Sequence, residues 1–354
     1  GDELPPQGRS PPVPLMKKTR ILALVHDHLV PPEDTTGIDI LEAEWKMEYD
    51  VIETLREIGH EVRVLGINDN LGGIRPTVGL FKPHIVFNLM EACAGVTTFD
   101  QNVVSYLELL GLPYTGCNPR GLILARDKAL SKKLLAYDRI RLPEFTVVRP
   151  GRKVALPKRL TFPLIVKSLF FEASTGISQA SVVENHEQLA KRATFIHEKL
   201  GTAAIVEQFI DGRELYVGVI GNERLDVPPP WEMSFAQMPD NRWKIATERV
   251  KWSTQYQKKH GIMTDRAKLD AGAIERMQRM AKRAYRALDL SGYARVDVRM
   301  DEEGRIYVLE ANPNPNMAYG EDFSESAEAQ GISYERLLDR LIALGLRWKP
   351  ARTG

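Results

Sequence analysis

The stretch that most constrains this chain runs from Gly292 to Met317, where polar and apolar residues alternate on both sides of one turn. The turn is Asp301-Glu302-Glu303-Gly304, because a short polar segment ending in Gly between two alternating runs is typical of a β-hairpin. If Met300 pairs with Arg305, one face of the hairpin is apolar and suits a core. The residues of that face are Ala294, Val296, Val298, Tyr307, Leu309 and Ala311.

The opposite face of the hairpin is polar. In the same register Arg295 lies across from Glu310, and Asp297 lies diagonal to Glu310. Asn312 follows on this face, so two carboxylates and an amide oxygen converge. Such hard oxygen donors suit Mg²⁺, which shares its remaining sites with water and substrate phosphates. The alternative is a solvated face with an ordinary ion pair between Arg295 and Glu310, and the hairpin alone leaves both readings open.

Composition indicates a soluble globular protein of two or three domains. The chain has 354 residues, of which 43% are hydrophobic and 27% charged, and its net charge is +1. That balance gives no reason to expect nucleic acid or an anionic membrane as a partner. Cys93 and Cys117 form neither a disulfide framework nor a CxxC pair, so we predict a cytoplasmic location.

The first third of the chain predicts a doubly wound parallel sheet. Strand-like runs begin near residues 21, 60 and 84 and alternate with helical patterns. Ligands bind at the carboxyl ends of such strands, so His26 and Glu91 are candidate substrate contacts. His26 and His28 alternate in a loop and suggest a metal, but the sequence offers no third ligand at a convincing spacing. The favoured interpretation is therefore that they are polar loop residues or substrate contacts.

Residues 227–265 are polar, aromatic-rich and weakly patterned, so we expect a long loop that is either a lid or disordered. Neither GxxxxGK[ST] nor GxGxxG occurs in the chain. The polar hairpin face therefore belongs to neither a P-loop nor a dinucleotide-binding site. What remains is Mg²⁺-dependent nucleotide chemistry on a different scaffold.

Three motifs stand in order along the chain, namely residues 114–116, YTG, with residues 126–128, RDK; residues 206–214, VEQFIDGRE; and residues 294–297, ARVD, with residues 309–313, LEANP. Together they resemble the ATP-grasp superfamily and, within it, the D-alanine–D-alanine ligases. Tyr114-Thr115-Gly116 with Arg126-Asp127-Lys128 resembles the family's Y-[TV]-G … M-D-K. Residues 206–214, VEQFIDGRE, resemble its V-E-x-[FW]-[IL]-x-G-x-E. Residues 294–297, ARVD, with residues 309–313, LEANP, resemble its [AG]-R-[IV]-D … L-E-[AV]-N.

The resemblance implies an α/β chain, α+β in its C-terminal half, with an ATP-grasp fold behind the doubly wound N-terminal domain. The implied divisions are a flexible tail over 1–18, an N-terminal domain over 19–115, a central subdomain over 116–202, and a C-terminal subdomain over 203–348 with the lid at about 227–265.

The resemblance also implies a role for individual residues. The ATP-binding residues are then Lys128, Lys167, Ser174, Thr175, Glu207, Ile210 and Glu214. The metal ligands, for two Mg²⁺ ions with Mn²⁺ as an alternative, are Asp297, Glu310 and Asn312. Arg295 is expected to stabilise an oxyanion and Lys251 to reach the γ-phosphate. The substrate contacts are His26, Glu91, Asn316 and Glu321.

Both substrate regions depart from the family pattern. The family's amino-terminal G-G-x-S-x-E-H is replaced by residues 26–32, HDHLVPP. The stretch that receives the second D-alanine in the family reads PNMAYGE over residues 315–321. The acidic pair Glu321-Asp322 is a poor receptor for a free carboxylate and suits a cationic or carboxyl-masked nucleophile better.

The resemblance therefore implies an ATP-dependent carboxylate–amine ligase that forms an amide through an acyl phosphate and releases ADP and phosphate. Its partners would be small-molecule carboxylate and amine substrates, amino-acid or peptide-like, and a homodimer is a candidate assembly. Three alternatives stay open: D-alanine–D-alanine ligation itself, a nucleotide-binding regulatory module without turnover, and an ATP-dependent kinase on the same scaffold.

Overall fold

Three β-sheets follow one another along the chain in the computed structural model, which describes residues 17–170 and 176–350. The strands of the first sheet are β1 (Arg20–His26), β2 (Glu61–Ile67) and β3 (Ile85–Asn88). They are parallel, in the order β2-β1-β3, which confirms the predicted N-terminal parallel sheet. The accompanying helices are α1 (Lys46–Glu57), α2 (Ile74–Phe81) and α3 (Asp100–Leu109).

Strands β1 and β3 of the first sheet are buried on both faces, as the unbroken apolar run of β1 requires, whereas the edge strand β2 is partly exposed. Ile21 and Val25 pack with residues of α1 and of the closing helix of the fold, Tyr334–Arg347. Leu22 and Leu24 belong to the core on the other side, which includes residues of α3. Because β1, β2 and β3 are parallel, their carboxyl ends lie at one edge of the sheet, and parallel sheets bind ligands at that edge.

The second sheet is antiparallel, and two helices precede it, α4 (Pro119–Arg126) and α5 (Lys128–Tyr137). Its strands are β4 (Phe145–Val148), β5 (Leu164–Ser168), β6 (Val182–Val183) and β7 (Ala204–Gln208), in the order β4-β7-β5-β6. Helix α6 (His186–Lys199) packs on β5. Because β7 pairs with β4 and β5, this sheet extends beyond residue 203, where the sequence prediction begins the C-terminal subdomain.

The third sheet is also antiparallel, in the order β10-β9-β8-β11-β12. Its strands are β8 (Arg213–Ile220), β9 (Trp231–Phe235), β10 (Ile262–Arg266), β11 (Tyr293–Met300) and β12 (Ile306–Pro313). The helices of this region are α7 (Glu248–Trp252), α8 (Thr254–His260), α9 (Ala271–Ala287), α10 (Asp322–Ala329) and α11 (Tyr334–Arg347).

The segment 227–265 is not the long irregular loop predicted from its composition. It holds β9, α7, α8 and most of β10. Trp231 and Met233 pack with Ile262 in a small core that also contains Tyr216 of β8. These apolar residues are scattered in the sequence, so they give no local pattern. Their burial against the third sheet is what folds the segment.

The predicted hairpin is present, but its register differs from the prediction. Met300 pairs with Ile306 rather than with Arg305, and a β-bulge shifts the pairing again between Asp297 and Val298. Beyond the bulge, pairing runs one residue out of step with the pairing nearer the turn. Core positions opposite Val298 and Met300 are therefore filled by Val308 and Ile306.

Tyr307 is consequently not on the core face to which the sequence assigned it. It pairs with Arg299, and the Arg141 guanidinium carbon lies 5.7 Å from the centre of its ring. Leu309 is the bulged residue and lines a cleft instead of the core. Among the described residues, no helix combines the length and the apolar character needed to cross a membrane.

Candidate active site

A cleft of about 680 Å³ lies between the second and third sheets. Its walls come from α5, β5, β7, β11 and β12, so the polar hairpin face forms one side of it. Asp297 and Glu310 both line this cleft, together with Lys128 and Lys167. The alternative of a hairpin face turned to bulk solvent is therefore wrong.

The Arg295 guanidinium is held by two carboxylates and one aromatic ring. Its Nε and Nη2 donate to the two oxygens of Asp297 at 2.7 and 2.9 Å, and its Nη1 donates to Asp322 Oδ2 at 3.0 Å. Its central carbon lies 4.4 Å from the centre of the Tyr216 ring. A guanidinium that is hydrogen-bonded to two carboxylates and stacked on an aromatic ring has little freedom to move, so the Arg295 cation is held in a fixed orientation.

The three predicted metal ligands occupy neighbouring positions on β11 and β12. Asp297 lies directly opposite Glu310, and Arg295 lies opposite Asn312, so the pairing within the polar face differs from the predicted one. The observed register differs from the predicted one by two residues. Because side chains in a strand alternate with a period of two, the four polar residues stay on the same face of the hairpin. Asn312 Nδ2 donates to Glu310 Oε1 at 3.4 Å.

Glu310 is an ionised carboxylate surrounded by positively charged side chains. Burial by itself raises the pKa of this carboxyl, but the charges of Lys128, Lys167, Lys251 and Arg295 outweigh burial and lower the pKa to about 2. The Lys128 Nζ lies 3.8 Å from Glu310 Oε2. An ionised carboxylate beside a second carboxylate and an amide oxygen fits the donor set that Mg²⁺ prefers.

Glu207 joins two lysines on the opposite wall of the cleft. Lys167 Nζ donates to its Oε2 at 3.1 Å, and Lys132 Nζ lies 3.3 Å from its Oε1, which accepts no hydrogen bond among the described residues. Burial raises the pKa of the Glu207 carboxyl, but the two lysines outweigh burial and hold it below its usual range. The wall therefore presents positive charge and one carboxylate oxygen that is ion-paired with Lys132 but accepts no hydrogen bond of good geometry among the described residues.

Arg299 organises the far end of the cleft. Its guanidinium donates to Glu214 Oε2 at 2.9 Å, to the Ile210 carbonyl at 3.0 Å and to the Lys244 carbonyl. Tyr216 Oη also donates to Glu214, at 3.0 Å. Glu214 and the Ile210 carbonyl, both predicted to contact ATP, are thus held in place by one arginine from β11.

Apolar side chains line the part of the cleft beside Ile210. They are Ile165, Ile177, Phe209, Ile245 and Ala246. Phe209 packs edge-on against Trp243 with ring centres 5.1 Å apart, so its position is fixed from behind. Apolar walls next to a chain of cations and carboxylates suit a ligand with a flat base at one end and several negative charges at the other.

Lys251 lines the same cleft from α7, within the segment predicted as the lid. Ser174 and Thr175, predicted to contact the phosphates, lie outside the described residues. The neighbouring Gly176 is described, and its N–H donates to Glu248 Oε2 of α7 at 3.0 Å. Gly176, which follows the predicted ATP-binding residues Ser174 and Thr175 in the sequence, therefore contacts the segment that carries Lys251.

The four predicted substrate contacts do not line the cleft. Asn316 uses its Oδ1 to accept the Ala318 N–H at 2.9 Å, a local turn contact. Glu91 and Glu321 are exposed, and His26 lies at the end of β1. Whether these residues contact substrate remains a prediction.

Three residues of the site were not among the predicted site residues, namely Lys132, Arg299 and Asp322, the last of which the sequence showed only as half of an acidic pair. Two of them carried a signal. Lys132 lies one helical turn after Lys128, and Arg299 continues the alternation of Arg295 and Asp297 along one face of β11. Asp322 begins α10, and only the folded chain brings it to Arg295.

Comparison with known proteins decides the family. Residues 134–343 match the family model described as D-ala D-ala ligase C-terminus, which is more than half of the chain. The chain belongs to the D-alanine–D-alanine ligase family. It is an ATP-grasp ligase, and such enzymes are ATP-dependent carboxylate–amine ligases that act on small molecules.

Relatives of this ATP-grasp ligase differ in how they are named. A protein of Sinorhizobium fredii, called uncharacterized protein y4sG, is 30% identical over 84% of this chain and 86% of its own. A D-alanine–D-alanine ligase of Desulfotalea psychrophila is 31% identical over 72% of this chain and 77% of its own.

The crystal structure of a Bacillus anthracis D-alanine–D-alanine ligase is similar with a TM-score of 0.73 and 23% identity, over 93% of this chain and 98% of that one. The same enzyme complexed with ATP gives a TM-score of 0.72. These likenesses confirm the predicted ATP-grasp fold.

Proposed function

We propose that this ligase activates a carboxylate substrate as an acyl phosphate and then joins it to an amine, with release of ADP and phosphate. The observation that carries the proposal is the single cleft in which Lys128, Lys167 and Lys251 lie with Asp297 and Glu310. Phosphoryl transfer needs charge neutralisation and positioning more than it needs covalent help from the protein. A cleft with three cations and two carboxylates offers both.

ATP would bind with its base between the apolar walls and its phosphates toward the lysines. Glu207 Oε1 is buried and ion-paired with Lys132 but accepts no hydrogen bond among the described residues, so an exocyclic amino group of the base could donate to it. Lys128 and Lys167 would meet the phosphates from α5 and β5, and Lys251 from α7. Glu214 would accept from the ribose hydroxyls while Arg299 holds it.

Mg²⁺ would be held by Asp297, Glu310 and Asn312, whose oxygen donors, the ionised Glu310 carboxylate among them, fit it, with Mn²⁺ as an alternative ion. Bound there, the metal supplies charge neutralisation to the phosphoryl oxygens. Arg295 would then stabilise the oxyanion that forms when the amine attacks, because its guanidinium is already oriented by Asp297 and Asp322.

The substrates are proposed to be amino-acid or peptide-like. Exposed Glu91 follows β3 and exposed Glu321 precedes α10, so carboxylates rather than arginines mark the substrate side. These residues favour a substrate with an ammonium group and disfavour a second free carboxylate. D-alanine–D-alanine ligation is the second candidate, since relatives such as the Desulfotalea protein carry that name.

A screen for amine-dependent ADP release tests the proposal. Amino acids and dipeptides are supplied singly and in pairs with ATP and Mg²⁺, and ADP is measured with a coupled assay. Asp297→Asn should release ADP at least roughly tenfold more slowly, because a charged metal ligand is lost. Glu302→Gln, in the exposed hairpin turn, is the matched control and should leave the rate unchanged.

Other results of this screen would support other functions. AMP as product would overturn the acyl-phosphate mechanism. A phosphorylated product without an amide would indicate a kinase, and ATP binding without any ADP release would indicate a regulatory module. D-alanine as the best single substrate would favour the second candidate. The cytoplasmic location and a homodimer remain predictions, and the second is checked by light scattering.

A further inference from the structure

Three side chains converge where β1 ends. His26 is the last residue of the strand, and residues 27–29 form one turn of 3-10 helix. The Nδ1 atoms of His26 and His28 lie 2.6 Å apart, and Asp27 Oδ1 lies 2.9 Å from the first and 3.9 Å from the second. The ligand atoms of the three residues all lie within 4.8 Å of one another. We call these residues the β1-end triad.

We propose that the β1-end triad is a binding site for a transition-metal cation of the Zn²⁺ class. Two imidazole nitrogens and one carboxylate oxygen are a donor set that Zn²⁺ uses, with a fourth position left for water or a substrate oxygen. The sequence alone offered two histidines and no third ligand, and the folded turn supplies Asp27 as the third.

The facing nitrogens need something between them. Nδ1 of a neutral imidazole carries either a proton or a lone pair, and two lone pairs at 2.6 Å repel each other. One shared proton satisfies the two rings at 2.6 Å. Zn²⁺, which binds about 2.0–2.1 Å from each nitrogen, would hold the two nitrogens roughly 3.3 Å apart and would join the carboxylate as well, so metal binding requires a small rotation of the rings. The rings meet edge to face with centres 4.3 Å apart, so the two nitrogens can be directed at one point.

The turn that carries the triad is packed in place rather than free. Gly66 of β2 lies directly against it, and a Cβ built at Gly66 would come within 3.1 Å of the Asp27 Cα and 2.9 Å of Val30 Cγ2. The His28 N–H donates to Asp27 Oδ1 at 2.7 Å, and the Val30 N–H donates to the Asp27 carbonyl at 3.4 Å. A preformed turn lowers the ordering cost of binding a metal.

This site differs in chemistry and in place from the proposed Mg²⁺ site. Nitrogen donors favour Zn²⁺ over Mg²⁺, whereas Asp297 and Glu310 offer oxygen alone. The triad does not line the cleft between the second and third sheets. It lies at the carboxyl end of β1, the same sheet edge beyond which Glu91 follows β3. A cation there would face the side of the molecule on which we place the substrates.

Zn²⁺ binding to the full chain tests this inference without depending on ligase activity. Chelator-treated protein at tens of micromolar is titrated with Zn²⁺ by calorimetry in the presence of excess Mg²⁺, and Co²⁺ is used as a coloured probe. We expect one equivalent of Zn²⁺ per chain and a visible Co²⁺ absorption. His28→Ala, on an exposed side chain, should weaken Zn²⁺ binding at least about tenfold, since it removes a direct ligand.

The double variant His26→Ala with His28→Ala should lose the binding and the Co²⁺ absorption. His186→Ala, which removes an exposed histidine at the start of α6, is the matched control and should bind as the wild type does. A circular dichroism spectrum shows that each variant is folded. Absence of Zn²⁺ binding by the wild type, or unchanged binding by the folded double variant, would overturn the inference and leave the ligase proposal untouched.

Discussion

Asp297 and Glu310 lie directly opposite each other across β11 and β12, and the strand pairing shifts by one residue immediately beyond them. Leu309 is the extra residue, because Val308 already pairs with Val298. Its carbonyl oxygen accepts a hydrogen bond from Lys132 Nζ at 2.7 Å. The bulge thus returns Glu310 to the polar face while Val308 fills the core, which is the use that bulges often have beside active sites.

Lys132→Met should weaken ATP binding at least about tenfold, which corresponds to about 1.4 kcal/mol. The change removes the hydrogen bond to the bulge carbonyl and one of the two cations beside buried Glu207, so both cleft walls lose a support. Calorimetric titration with ATP measures the effect. Lys133→Met, one residue along α5 and exposed, is the control. Equal affinities of the two variants would contradict this role.

Arg299→Lys should also weaken ATP binding about tenfold and lower the free energy of unfolding by about 1–3 kcal/mol. One ammonium group cannot reach Glu214, the Ile210 carbonyl and the Lys244 carbonyl together, as the guanidinium does. Denaturant unfolding and ATP titration report the two effects. Arg305→Lys, in the hairpin turn and largely in solvent, should change neither quantity. A variant with normal ATP affinity would show that Arg299 serves stability alone.

The polar hairpin face could be predicted because strand alternation depends on the residues themselves and survives a register error of two. The bulge at Leu309 could not, since its partner Lys132 lies far away in sequence. The same reason explains the error over residues 227–265. Trp231 and Ile262 follow no local hydrophobic periodicity, and they are ordered because they pack with Tyr216 of β8.

Glu48 should make stability fall with rising pH. It is 1% exposed on α1, and its burial raises the pKa of the carboxyl from the ordinary 4.5 to about 8. Between these two values the folded chain keeps a proton that the unfolded chain has released. The free energy of unfolding therefore falls through this window, with a slope from this group approaching about 1.4 kcal/mol per pH unit, and levels off above it.

Glu48→Gln should remove that slope, and denaturant unfolding at a series of pH values from the acid to the alkaline side of this window measures it. Glu57→Gln, exposed on the same helix, should retain the slope of the wild type. Parallel profiles for Glu48→Gln and the wild type would rule out Glu48 as the cause.

Gly116→Ala should cost at least about 1 kcal/mol more unfolding free energy than Gly111→Ala. Both glycines have positive φ, 93° and 67°, so backbone strain is common to the two variants. A Cβ at Gly116 would stand 2.4 Å from Asn314 Oδ1, which accepts the Cys117 N–H, whereas a Cβ at Gly111 meets nothing within 4 Å. Thermal and denaturant unfolding measure the stability of the two variants. Equal losses of unfolding free energy would mean that only the positive φ, which both glycines share, matters.

The packing of α11 on the first sheet has a consequence for biosynthesis. Leu337, Leu341 and Ile342 close over Ile21 and Ile85, so strands β1 and β3 are covered by a helix that the ribosome makes more than two hundred residues later. Until residues 334–347 emerge, α1 alone covers this side of the nascent sheet, and the apolar surface left bare depends on chaperones or on temporary contacts to stay out of aggregates. Completion of the N-terminal domain is thus delayed until the β11–β12 hairpin has itself been synthesised.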